Sequence, residues 1–167
     1  GGGAGFLARV GGWGGRLGPR RRGPPASAAG LDLTTAERAL RRKTHQTIQK
    51  VTGDLYPRVH LNTAISALME LVNELYAFGE QGGLLRSGRR AGEGATGIEQ
   101  VETCAVLREA CEALVLMLSL FCPHFCEELW QALGHDGGLA AARWPVADEA
   151  AARADEVEYA GQVNGKV

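Results

Sequence analysis

Cys122, His124 and Cys126 carry the most concentrated ligand chemistry in this sequence, because thiolates and an imidazole can supply three of the four ligands of a zinc site. Their spacing works against it. On a helix, positions four apart share a face, whereas a position two residues on points about 200° away, and no second ligand pair stands near. Packing of small, weakly polar cysteines in a helix is the reading these residues favour. Gly92-Glu93-Gly94-Ala95-Thr96-Gly97 matches the GxGxxG pattern of dinucleotide sites. That pattern works only when a strand precedes it, so that the backbone meets a pyrophosphate at a helix end. Here it follows Arg86-Ser87-Gly88-Arg89-Arg90 in a Gly-rich stretch and is a chance match. His45, His60 and His135 have no nucleophile at a motif spacing, and neither a phosphate-binding loop nor a His-Glu-x-x-His signature occurs. Trp130 and Trp144 could stack on bases, but Trp130 lies on the apolar side of an amphipathic pattern, and both are core candidates first.

The elements that must position these residues are helical. Thr34-Thr35-Ala36-Glu37 fits a capping box, in which a hydroxyl accepts from the N3 amide and the Glu reaches back. It predicts a helix over 34–52 with Leu40, Thr44, Ile48 and Val51 facing inward, ended by Gly53-Asp54 and Pro57. A second helix over 62–80 has a stripe at Leu61, Ile65, Leu68, Val72, Leu75 and Gly79 that reads as buried. Seven glycines between Gly79 and Gly97 mark a long polar connection. A third helix over 98–121 places Cys104, Leu107, Cys111, Leu114, Leu118 and Phe121 on one face and should pack antiparallel to the second. Pro123, best tolerated in a first turn, opens a fourth helix that Gly134 terminates. Trp144-Pro145 marks an extended turn, Asp148 caps a short helix over 149–153, and 157–167 alternates as a strand.

Length, charge and cysteine use narrow the class. At 167 residues the chain has the size of one domain. No apolar run is long enough for a membrane span and no secretory signal opens the chain, so a cytoplasmic location is expected. The four cysteines fall inside helical patterns rather than bracketing loops, which argues against a disulfide framework. Residues 1–30 hold eleven glycines and an Arg/Pro-rich run, a composition that resists regular structure. Residues 1–58 hold 11 Lys/Arg against 3 Asp/Glu, and residues 59–167 hold 7 against 16, so the two parts carry +8 and −9. Such a split permits a polyanion to bind one face, although a solvated basic helix explains it equally.

Four stretches, in order, carry a resemblance: 42–52 (RKTHQTIQKVT), 61–73 (LNTAISALMELVN), 122–130 (CPHFCEELW) and 162–167 (QVNGKV). They resemble leucyl-tRNA synthetase, from its anticodon-binding-type helical domain into the start of its C-terminal module, over residues 34–167. The Pro123–Trp130 pattern is shared with the valine and isoleucine enzymes, so the leucine assignment rests on the other three. Residues 3–13 faintly resemble the family's preceding helix, with glycines where bulky or basic residues are usual.

The resemblance implies an all-α fold, an antiparallel helical bundle of the class I synthetase anticodon-binding type with a short terminal β-strand. It divides the chain into a poorly ordered 1–33, a tRNA-binding helical domain at 34–147, and 148–167 as linker and start of the next module. The chain opens with Gly1 and closes at Val167 within the alternation, and it is expected to be a fragment. The family ligates leucine to tRNA(Leu) using ATP and Mg2+. Both class I signatures are absent here, so no catalytic residue, metal ligand or cofactor is carried over, and leucine and ATP would act only through the catalytic domain. What remains is tRNA binding by a monomer, with no DNA or membrane partner. Arg41, Arg42, Lys43 and Lys50 are the expected phosphate contacts, with Arg38 and Arg58 weaker, since basic side chains on a helix supply affinity without reading sequence. The alternatives are the same domain of a valyl- or isoleucyl-tRNA synthetase, or a helical protein-interaction module that uses the cysteine-bearing helix as its surface.

Overall fold

A computed structural model describes residues 28–57, 59–81 and 97–153. Among them there is no strand, and the order is α1 (Thr35–Leu55), α2 (Leu61–Gln81), α3 (Gly97–Leu118), α4 (Pro123–Ala132), a 3-10 turn (Leu139–Ala141) and α5 (Glu149–Ala152). The expected strand at 157–167, the Gly-rich 1–27, the connection over 82–96 and Arg58 lie outside the described residues.

α1 begins at a complete capping box. The Thr34 hydroxyl accepts from the Glu37 amide, and the Glu37 carboxylate accepts from the Thr34 amide at 2.8 Å. Glu37 reaches further than a cap requires, because it also accepts from the Thr103 hydroxyl on α3. The helix buries Leu40, Thr44, Ile48 and Val51, as its spacing predicts. Thr44 tolerates this because its hydroxyl donates to the Leu40 carbonyl one turn back, at 2.9 Å.

α1 packs against α2, α3 and α5, and α3 also meets α2 and α4. Glu37 faces Thr103 and, two turns on, His45 faces Glu109, so α1 and α3 run in the same direction. Lys43 meets Glu70 while Lys50 sits beside Thr63, so α2 runs against α1 and therefore against α3.

The buried face of α2 is Ala64, Leu68, Leu71, Val72 and Leu75. Leu61 and Ile65, placed by spacing in the buried stripe, are 47% and 38% exposed. The first two turns of α2 carry apolar residues on two adjacent faces, and only the face holding Ala64 and Leu68 meets the bundle. α3 also departs from its expected single stripe. Val106, Leu107, Ala110, Leu114, Val115, Met117 and Leu118 are all buried, which wraps the apolar surface most of the way round the helix. A helix hydrophobic on nearly all sides is a central one. α3 stops at Leu118 rather than 121, and Phe121 and Cys122 turn back to donate to the Leu118 carbonyl at 2.9 and 3.1 Å.

α4 starts with Pro123 in its first turn and ends in a Schellman motif. The His135 amide donates to the Trp130 carbonyl and the Gly134 amide to the Gln131 carbonyl, with Gly134 at φ 93°. The turn lays the His135 ring flat on Trp130, centroids 3.7 Å apart, and presents Nε2 to Glu112 at 2.9 Å. Trp130 is buried.

Candidate nucleic-acid interface

Beyond its buried side, α1 has two more sides with separate tasks, and its basic residues divide between them. One carries residues 144–153, which lie along the helix as a strap running against it. Trp144 Nε1 donates to Thr52 Oγ1 at 2.9 Å, the Asp148 amide donates to His45 Nδ1 at 3.1 Å, and Gln46 Nε2 donates to the Ala152 carbonyl at 2.9 Å. Arg42 Nε donates to the Arg153 carbonyl at 3.1 Å. Positions 42, 45, 46 and 52 follow helical periodicity, which is why one short segment satisfies them all.

A four-residue polar network fastens this strap to the core. Arg41 reaches Glu109 at 3.0 Å and Asp148 at 2.9 Å, with its side chain only 12% exposed. His45 accepts at Nδ1 from the Asp148 amide, so its proton sits on Nε2 and points at Glu109 Oε1, 3.2 Å away. Burial pushes the Glu109 carboxyl up, but hydrogen bonds from His45 and Arg41 and the Arg41 charge outweigh it, and the group lies below the usual carboxylate range. The hydrogen bond from Arg41, with the Ala151 amide, holds Asp148 low as well. Burial alone pushes Arg41 down, and its two carboxylate partners more than reverse that. The guanidinium fork meets two carboxylates from different elements, a task a lysine could not perform with the same geometry.

The other side opens as a groove between α1 and α2. Lys43, Gln46, Thr47 and Lys50 form one wall, and Thr63, Ser66, Ala67 and Glu70 the other, around a recess of about 470 Å³. Lys43 Nζ meets Glu70 Oε2 across it at 2.7 Å, and Lys50 Nζ meets Asp54 Oδ1 at 2.8 Å within α1. These lysines hold both carboxyls below their ordinary range.

Residues 37–167 match the family model described as the anticodon-binding domain of tRNA ligase. The chain belongs to that family. It is 45% identical to a leucine–tRNA ligase of Hydrogenovibrio crunogenus over 136 residues, 81% of this chain and 14% of the relative. It is 50% identical to that of Syntrophus aciditrophicus over 131 residues, 78% of this chain and 14% of the relative. Among solved structures it is similar to the LeuRS–tRNA–LeuAMS ternary complex of Agrobacterium radiobacter, with a TM-score of 0.65 at 27% identity, over 90% of this chain and 17% of that one. The chain thus spans about one seventh of the length of the curated relatives it matches.

Within this anticodon-binding domain the basic residues singled out from the sequence separate. Arg38 is exposed near the start of α1. Lys43 and Lys50 edge the groove, and Arg42 holds the end of the strap. Arg41 is turned inward, its guanidinium engaged by Glu109 and Asp148. Residues 148–153, grouped by sequence with the following module, and Ala28 and Leu33, grouped with the preceding segment, are packed onto the helical unit. Among the described residues no group of three His, Cys, Asp or Glu side chains is arranged to hold a metal ion. Cys122 and Cys126 sit 3.9 Å apart at sulfur while His124 is exposed, and burial pushes the Cys111 thiol up to about 12. Cys111 and Cys126 are core, while Cys104 and Cys122 are half-buried. Among the described residues no helix is long and apolar enough to cross a membrane.

Gln46, Ser66, Thr63 and Glu70 do not stand out in the sequence as binding residues. The spacing of 63, 66 and 70 on α2, three then four, is nonetheless a legible signal for one polar helical edge.

Proposed function

We propose that the chain is the tRNA-binding helical domain of a leucine–tRNA ligase. It would hold tRNA(Leu) by the phosphate backbone while a catalytic domain elsewhere in a longer cytoplasmic protein carries out ATP- and Mg2+-dependent leucylation. The supporting observation is the similarity to leucine–tRNA ligases over about four fifths of the chain. The similar solved structure is itself a complex containing tRNA, which favours the same reading. Arg38, Arg42, Lys43, Lys50 and Arg58 are the proposed phosphate contacts. Arg41 is proposed to act through Asp148 and Glu109, keeping α1 and the strap in register, rather than through RNA. Leucine and ATP are left to the catalytic domain, and the domain binds as a monomer with no DNA or membrane partner.

Lysines and arginines that neutralise phosphates release counterions, so affinity falls as salt rises, and removing one such side chain flattens that dependence by roughly one unit of log–log slope. Titrating the chain with tRNA(Leu) and an unrelated tRNA at several salt concentrations tests the reading. Salt-sensitive binding is expected, and reversing charge at Arg42 and Lys43 should weaken it and flatten the slope by about two units. A folded chain that binds neither tRNA overturns the function. An unchanged slope in the reversed variant overturns the residue assignment alone.

A further inference from the structure

Lys43 and Lys50 stand seven residues apart on α1, which is two turns, or about 10 Å along the axis, on the same side of the helix. Both point along the α1–α2 groove, and each is tied to a carboxylate at ion-pair distance. The two ties differ. The Asp54 side chain is 12% exposed and belongs to the same helix as its lysine, so that pair is a fixed part of α1. Glu70 is 63% exposed and sits on the opposite wall, so its carboxylate can swing into water without uncovering any buried surface. An exposed pair of this kind gains little from its own attraction, because water screens it and two long side chains lose freedom to make it. The groove floor and far wall add Gln46, Thr63 and Ser66. The Ser66 hydroxyl donates to the Asn62 carbonyl at 2.9 Å and that of Thr63 to the His60 carbonyl at 3.0 Å. Both residues are exposed, and a hydroxyl oxygen that donates its hydrogen keeps acceptor capacity, which suits the hydrogen of a ribose 2′-hydroxyl.

We propose that the α1–α2 groove is a sugar–phosphate subsite for structured RNA, in which the Glu70 carboxylate holds Lys43 in place until a backbone phosphate replaces it. The inference rests on the tRNA-binding reading and adds to it a specific place and an exchange. Glu70 occupies the anion position in the free domain. Bound RNA takes over Lys43 through a phosphate oxygen and extends toward Lys50, whose ammonium has two further hydrogens beside the one given to Asp54. With Glu70 and Asp54 in place the two lysines are balanced by two carboxylates, so the groove attracts a stray ion of either sign only weakly. An RNA must bring several phosphates to gain from it. Glu70 is thus a specificity-determining residue that lowers affinity for any single anion.

The test is a double-mutant cycle on the full chain with a tRNA(Leu) transcript as the probe, read as dissociation constants at fixed salt. Glu70→Gln should tighten binding by about threefold to fivefold, the size of the exposed pair it removes. Lys43→Ala should weaken binding, and in that background Glu70→Gln should change it by less than about 1.5-fold, because the competition no longer has an object. Glu74→Gln, the same charge change one turn further along α2, controls for long-range electrostatics. A gain from Glu70→Gln that persists without Lys43, or that Glu74→Gln matches, overturns the exchange. So does a neutral or weakened Glu70→Gln variant whose parent still binds. A parent chain that binds no tRNA at any salt concentration overturns the tRNA-binding reading and this one with it.

Discussion

Glu109 shows how one residue can tie three elements together. From α3 it accepts from Arg41 and His45 on α1, and Arg41 passes the connection on to Asp148 in the strap. Removing the acceptor would leave a largely buried guanidinium with half its partners. The pH dependence follows from sign. The folded-state pKa of Glu109 lies below its ordinary value of 4.5, and that of Glu37 does too. On acidification the unfolded chain therefore binds its protons first. The stability these groups contribute is complete above about pH 5 and is lost as pH falls through the depressed folded values. Urea midpoints measured from about pH 6 down to about pH 3 should fall steeply. Glu109→Gln should lower the neutral-pH midpoint and make the acid limb shallower. An acid limb as steep as that of the parent would show that other groups supply the dependence.

At the scale of elements, the strap differs from the helices it covers. Residues 144–153 hold on by a few side-chain hydrogen bonds, one charged pair and the partly buried Trp144 and Ala147, with Ala152 the buried residue of α5. Segments that bury less apolar surface than the core helices open at lower free energy, so the strap is expected to detach before α3. Amide exchange should be fast at 148–153 and slow through the middle of α3. Trp144→Phe, which removes the donor to Thr52 and keeps the ring's apolar body, should speed exchange in the strap while leaving α3 protection unchanged. Equal acceleration in both would mean that the strap opens only with global unfolding.

For the whole molecule, part of the charge partition along the chain is met by pairing across the bundle. The segment 1–58 has an excess of eight positive charges and the remainder an excess of nine negative. In the fold, Arg41 faces Glu109 and Asp148, and Lys43 faces Glu70, so basic groups of the first part meet acids of the second. Among the described residues of α1, pairing leaves Arg38 exposed and Lys43 and Lys50 at the groove edge, the positions proposed above for phosphate contacts. Stability at this scale resides in α3. Leu114 and Met117, in its last two turns, are almost fully buried. Met117→Ala should cost about 2–5 kcal/mol, the range for a large-to-small change in a packed core, in a single cooperative transition by denaturant unfolding. A destabilisation under about 1 kcal/mol would mean that the core around α3 collapses to refill the space.

Much of the helical frame is legible from residue order, because its signals are local. A capping box at Thr34, a proline at position 123 and a glycine at 134 each act within a turn or two of backbone, and each marks a boundary within about three residues of where it falls. Spacing also chooses the inward face of α1. Spacing cannot choose between two adjacent apolar faces at the start of α2, because Leu61 and Ile65 repeat as regularly as Ala64 and Leu68, and which face is buried depends on where α1 lies. It likewise treats Arg41 and Arg42 as equals. They are neighbours in sequence but point about 100° apart around the helix, one into Glu109 and Asp148, the other to the end of the strap. The groove wall formed by Ser66 and Glu70 gains its meaning only when α2 folds back beside α1. What the sequence determined alone was therefore the set of described helices, with α1 running on through Gly53-Asp54 to Leu55 and α3 stopping short at Leu118, since helix formation follows from interactions between residues close in the chain. Which basic side chains stay available, and which acid stands opposite each, was decided only by tertiary structure, because partners 27 to 107 residues apart in sequence meet only after the helices pack.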